Sequence, residues 1–183
     1  MRIVVSGTHA SGKSTLVSDF ALAHPGFAVL PDPYELMDEA GDSPHPAMFA
    51  TQLRLSAIRL DPAQSPGDLI AERGPIDFLA YLLAMEDRAG VSASHEVVER
   101  AFAITREALR HVDLLVVLPL TAGDGIRAGD DEHLWLRDAM NEALLDLIDD
   151  PDVIGERTRV AEITGDRGQR LALLEALIAE RAA

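Results

Sequence analysis

Cysteine is absent from the 183 residues, which removes thiol catalysis, cysteine-ligated zinc and any disulfide scaffold. Lysine occurs once, at position 13, while the other cations are 15 arginines. Against 31 acidic residues these leave a net charge of −15. Such a chain repels phosphate backbones and anionic bilayers, so neither a nucleic acid polymer nor a membrane is expected as a partner. Asparagine also occurs once, at Asn141, and Glu142 follows it. A guanine-reading Asn-Lys-x-Asp signature therefore cannot form. No apolar run approaches the ~18 residues of a membrane span; the longest, Leu114 to Leu118, suits a buried strand. Met1 to Ser6 is too short for the apolar region of an export signal and runs directly into Gly7 and His9. A soluble, cytoplasmic protein is expected. With 48% hydrophobic and 26% charged residues the chain can bury a core at this length without a staple. One domain over 1–183 is expected, as a monomer or homodimer.

Short β-branched runs alternate with helical periodicities along the chain. Strands are expected near 3–6, 27–30, 68–72, 113–118 and 160–163. Helices are expected at about 13–21, 34–40, 47–60, from Pro75 onward, 93–111, 132–149 and 167–181, with Pro75 suited to a first turn. Five strands interleaved with helices predict an α/β fold with a parallel sheet covered on both faces.

Gly7-Thr8-His9-Ala10-Ser11-Gly12-Lys13-Ser14 matches the phosphate-loop pattern G-x-x-x-x-G-K-S/T in full, between a strand and a helix. Gly7 and Gly12 permit the tight turn that aims backbone N–H groups inward at a helix N-terminus. Lys13 suits the β- and γ-phosphates, and the Ser14 hydroxyl suits Mg²⁺. Residues 7–15, Thr15 included, thus form the expected ATP site. A chain this averse to lysine that keeps one here points to a need for a compact ammonium.

Acids for the remaining chemistry belong at the carboxyl ends of the strands, beside this loop. Asp32 after the second strand suits a general base, and Glu72 ending the third suits the metal side. The competing roles are a cap before Pro33 for Asp32, and an ion pair with Arg73 for Glu72. On the helix over 47–60, Gln52, Arg54 and Arg59 could wall an acceptor pocket, but a solvated face is the favoured expectation for them. Tyr34 suits stacking on a ring, and Trp135, between two leucines, suits core packing.

Three stretches, Gly7 to Leu16, Leu30-Pro31-Asp32 and Glu72-Arg73-Gly74-Pro75-Ile76-Asp77-Phe78-Leu79-Ala80-Tyr81, together resemble the P-loop nucleoside/nucleotide kinase superfamily. The likeness is nearest to the AAA-type ATPase-like kinase domains related to ribosylnicotinamide kinase, and to thymidylate and deoxynucleoside kinases. It implies a three-layer fold with strand order 2-3-1-4-5 and a lid at about 121–133. It implies ATP and Mg²⁺ as cofactors and a small-molecule phosphoryl acceptor, a nucleoside, nucleotide or related ribosyl compound. Carried over to this sequence, it makes Asp32 the base or hydroxyl ligand, Glu72 the acid serving Mg²⁺ and Arg73 the acceptor-side arginine. Arg127 becomes the lid arginine, with Arg137 a second candidate, while Asp77 matches an acid of open role. The loop at Thr164 to Arg167 falls where the superfamily packs adenine. Many deoxynucleoside kinases carry Glu-Pro where this chain has Asp32-Pro33, which leaves the acceptor class open. A regulatory nucleotide-binding ATPase or switch, and a kinase of a non-nucleoside such as a sugar acid, are the alternatives. Strand four ends Val117-Leu118-Pro119, without the Asp-Glu pair of a motor.

Overall fold

The computed structural model of the chain describes residues 1–36, 44–89, 94–120 and 134–182. Its strands are β1 (Arg2–Ser6), β2 (Ala28–Leu30), β3 (Leu69–Glu72), β4 (Leu114–Val117) and β5 (Arg159–Glu162). All pair in parallel, in the order β2-β3-β1-β4-β5. The helices are α1 (Lys13–Ala23), α2 (Pro46–Leu60), α3 (Pro75–Ala89), α4 (His95–Leu109), α5 (Leu134–Ile148), the one-turn α6 (Pro151–Ile154) and α7 (Arg167–Ala182). The sequence does not announce α6; Asp150 starts it by accepting from the Asp152 N–H at 2.8 Å.

The apolar runs are buried because each central strand has a core on both faces. Val4, Leu69, Ala71, Leu115 and Val117 pack with α2, α3, α4 and α5. Ile3, Val5, Ile70, Leu114 and Val116 point the other way, onto α1 and α7. Side chains alternate with the period of two that a strand imposes, so neither face can be polar. β2 is an edge strand, and its Ala28 and Val29 are exposed.

Of the helix expected over 34–40, the described part is a 3₁₀ turn at Pro33–Leu36; 37–43 lie outside the described residues. Trp135 is 40% exposed, so it is not the core residue its leucine neighbours suggest; Leu136 is buried instead. On a helix, neighbours in sequence point about a quarter-turn or more apart, and the buried face of α5 runs through Leu136, Ala139 and Met140.

Parallel register fixes where the chemistry lies. Val5 is paired with Glu72 and Ser6 with Val117. The loop at Gly7, the turn at Arg73-Gly74 and the end of β4 therefore share the carboxyl edge of the sheet. At the opposite edge, buried Arg2 donates to the carbonyls of Leu60, Ser65 and His111, tying two connections together. Gly74 is required by packing: a Cβ there would lie 2.9 Å from Val4 Cγ1, so only glycine lets the turn rest on β1.

Candidate active site

The loop Gly7–Gly12 leads into α1 with Gly12 in the left-handed region at φ 91°. No side chain caps this helix, and its first turn carries no acid. Its leading amides are thus available to an anion, with the helix dipole adding to the attraction. At Gly7 (φ 149°) a Cβ would meet Leu118 O and Ser11 Oγ, both at 2.8 Å.

An anion nest needs its carbonyls turned outward and satisfied. Here five consecutive carbonyls accept from cations. Arg73 reaches Gly7 O at 3.0 Å, and Lys13 reaches Thr8 O at 2.6 Å. Arg137 of α5 spans His9 O and Ala10 O, each at 3.2 Å, and Arg170 of α7 takes Ser11 O at 2.6 Å. Arg170 also holds Gly165 O at 2.8 Å, linking the β5–α7 loop to the phosphate loop. That loop is squared off by a reciprocal pair in which Asp166 N–H donates to Gln169 Oε1 and Gln169 N–H to Asp166 Oδ1, both at 2.9 Å.

Lys13 is 3% exposed. Burial, and then neighbouring Arg73, pull its pKa down to about 7 against the attraction of Asp77, Glu72 and Asp32. A bound polyphosphate favours the ammonium and raises that pKa. Below pH 7 the free protein already holds the proton, so binding takes up none there. Above pH 7 a polyphosphate bound there would draw up to one proton, and its affinity would fall as pH rises. Calorimetric titration with Mg-ADP at about pH 6 and about pH 8.5, each in two buffers of different ionisation enthalpy, measures the difference. Equal proton uptake at both values would contradict it.

Glu72 meets Ser14 rather than Arg73: the Ser14 hydroxyl donates to Glu72 Oε1 at 2.7 Å. Burial raises the Glu72 pKa, opposed by this bond and by Lys13. Two adjacent hard oxygens suit Mg²⁺, which takes one or two protein ligands and completes its shell with water and phosphate. Among the described residues no cluster of three His, Asp or Glu builds a metal cage.

Arg73 pairs with Asp32 instead, Nε to Oδ2 at 2.6 Å. The other Asp32 oxygen accepts from the Tyr34 N–H at 3.0 Å, so the cap and the site role coexist in one carboxylate. Arg73 sits at φ 65°, a left-handed conformation that costs a non-glycine residue roughly 1–3 kcal/mol and persists only when its surroundings hold it. Burial opposes its charge, but Tyr81, Asp32 and Asp77 together outweigh that and push its pKa up. Its guanidinium carbon lies 5.5 Å from the centre of the Tyr81 ring. Tyr81 in turn stacks on Phe49 at 4.7 Å and accepts the His9 N–H at 3.2 Å.

Of the acceptor-wall candidates, Gln52 is 2% exposed, on the face of α2 that carries Phe49, and its Nε2 has no hydrogen-bond partner. Arg54 is exposed; Arg59 is occupied by Pro31 O at 2.8 Å and so braces the Asp32 turn. Tyr34 is 40% exposed. The segment 121–133, with Arg127, lies outside the described residues. Sequence reasoning passed over Tyr81, Phe49 and Arg170; the only signal was Tyr81 closing the Arg73-Gly74-Pro75 stretch.

No protein-family model and no curated protein matches the sequence. Solved structures do match. Thymidylate kinase from Candida albicans superposes with a TM-score of 0.68 at 16% identity, over 99% of this chain and 92% of that one. Deoxyadenosine kinase from M. mycoides with bound dATP gives 0.72 at 16%, over 98% and 100%. NadR in complex with NR gives 0.63 at 18%, over 96% of this chain and 50% of NadR. The chain thus shares its overall fold with these kinases, and its own parallel sheet runs in the order 2-3-1-4-5. Among the described residues no helix is long and apolar enough to cross a membrane.

Proposed function

We propose that this protein transfers the γ-phosphoryl group of ATP to a hydroxyl or phosphate oxygen of a small acceptor of the nucleoside, nucleotide or ribosyl type. One observation carries the reading. An uncapped amide nest with its lysine stands beside an acid–arginine pair, half-buried Asp32 with buried Arg73, on the same edge of the sheet. Arg73 also holds Gly7 O, and the Asp32 carboxylate adds a base next to the nest.

In this reading Lys13 leaves Thr8 O for the β- and γ-phosphates, and the α1 amides hold the β-phosphate. Ser14 and Glu72 would hold Mg²⁺, which would neutralise charge on the phosphate oxygens. Arg73 anchors the acceptor, and Asp32 takes the proton of its attacking hydroxyl. The new bond joins that oxygen to the γ-phosphorus as the bridge to ADP breaks. Arg137, already on the loop, and Arg127 are the cations for the transferring group. Positioning and fixed charge supply most of the acceleration, since phosphoryl transfer asks for little covalent help. Gln52, buried with an unpartnered amide beside the Phe49–Tyr81 stack, reads the acceptor. The relatives by fold fit this use: one is solved with dATP and another with NR.

The test is release of ADP from Mg-ATP across nucleosides, nucleotides and ribosylated pyridines, with a thermal-shift screen alongside. A true acceptor at 100 times its Kd adds about 2.7 kcal/mol of stability and makes ADP appear in step with its phosphorylated form. Hydrolysis without an acceptor, or no turnover over the whole panel, overturns the proposal.

A further inference from the structure

We infer that Asp77 is a positioning residue that ties the head of the phosphate loop to the acceptor-side arginine, so that nucleotide binding is felt at Arg73. The inference rests on the nucleotide-binding reading above and adds a route by which the two halves of the site communicate.

Asp77, in the first turn of α3, is fully buried. One of its oxygens accepts from Ser6 Oγ at 2.7 Å and Gly74 N–H at 2.9 Å; the other accepts from Gly7 N–H at 2.9 Å and lies 3.7 Å from Arg73 Nη1. The same Arg73 nitrogen donates to Gly7 O. The Gly7 residue is therefore gripped from both ends, its N–H by Asp77 and its C=O by Arg73, and the two grips face each other. Any shift of Gly7 on phosphate binding must disturb both. The Arg73 guanidinium bonds Gly7 O and Asp32 at once, so a small displacement at the loop is passed through it to Asp32.

The chemistry explains why the residue is aspartate. Gly7 N–H, Gly74 N–H and Arg73 can only donate to the carboxylate, one or more of them at each oxygen, and Ser6 Oγ adds a fourth hydrogen. Asparagine has the same shape but must turn its amide toward Gly74 N–H or toward Gly7 N–H and Arg73, placing donor against donor. Serine at position 77 would be too short to span three donors from β1, the loop and the β3–α3 turn.

Two variants test this, Asp77→Asn and Ser6→Ala, in the full chain with Mg-ADP as the probe. The readouts are Mg-ADP affinity by calorimetry and the nitrogen–proton NMR resonance of Arg73 Nε, whose hydrogen bond to Asp32 reports guanidinium placement. In the wild type, saturation with Mg-ADP is expected to move that resonance. In Asp77→Asn affinity should fall about tenfold or more, the scale of one lost hydrogen bond to a charged group. The Arg73 response at saturation should shrink to less than half. Ser6→Ala, which removes one donor and leaves the carboxylate in place, should fold normally and give an intermediate loss of the response. An Arg73 response of wild-type size in Asp77→Asn overturns the inference. If that variant does not fold, the same result in Ser6→Ala overturns it. No Mg-ADP binding by the wild type would fail the nucleotide reading and this inference with it, whereas intact binding with intact coupling in the variants fails this inference alone.

Discussion

Lys13→Met is expected to lower phosphoryl transfer by at least about a hundredfold to a thousandfold, the scale of losing one preorganised cationic donor at developing charge. The fold should survive. Lys13 is 3% exposed and its amine bonds only Thr8 O and Ser11 Oγ, while methionine fills a similar volume without a charge to desolvate. Thermal melting should therefore stay within a few degrees of the wild type while ADP release collapses. Lys13→Arg should not restore turnover. A planar fork with five donors does not fit a niche shaped for one ammonium, and the chain uses arginine at every other cationic position. Turnover in Lys13→Met within tenfold of wild type would remove the central pillar of the proposed function.

Asp32→Asn is the second large effect and separates transfer from mere binding. Loss of a base near the attacking hydroxyl lowers kcat by about 10²–10⁴. Mg-ADP affinity should be nearly unchanged, because the described partners of the Asp32 carboxylate are Arg73 and the Tyr34 N–H, not the loop, Lys13, Ser14 or Glu72. The asparagine oxygen can keep either Arg73 Nε or the Tyr34 N–H, at the loss of the other, and Arg73 keeps Asp77 at 3.7 Å. Stability should consequently fall by only about 1–3 kcal/mol, less than for a buried pair broken outright. Steady-state assays and urea unfolding check the two halves. A nucleotide-driven switch has no acceptor proton to remove, so an Asp32→Asn protein with an undiminished ATP cycle would point there instead.

The phosphate loop was legible in the sequence because everything it needs is contiguous: two glycines, a lysine and a serine at fixed spacing between a strand and a helix. Asp32 and Glu72 were legible as strand-end acids, but their partners were not. Glu72 stands next to Arg73 in sequence and bonds Ser14, while Arg73 bonds Asp32 across 41 positions. Neighbours at a strand end point to opposite sides, and which side holds which partner depends on the order of strands in the sheet. Tyr81 and Asp77 reach the loop across 72 and 70 positions, and Arg137 across 128. No local pattern encodes such contacts. Gln52 reads in sequence as a solvated residue, and its burial is decided by how α2 rolls against α3.

The solitary lysine has a practical corollary. Reagents and enzymes that acylate, crosslink or conjugate side-chain amines find one such group here, sheltered beneath the loop that would cradle ATP. Wherever such a bond did form it would silence the molecule. Surface immobilisation or labelling that spares this side chain can go through carboxylate or guanidinium chemistry, of which the exterior offers plenty.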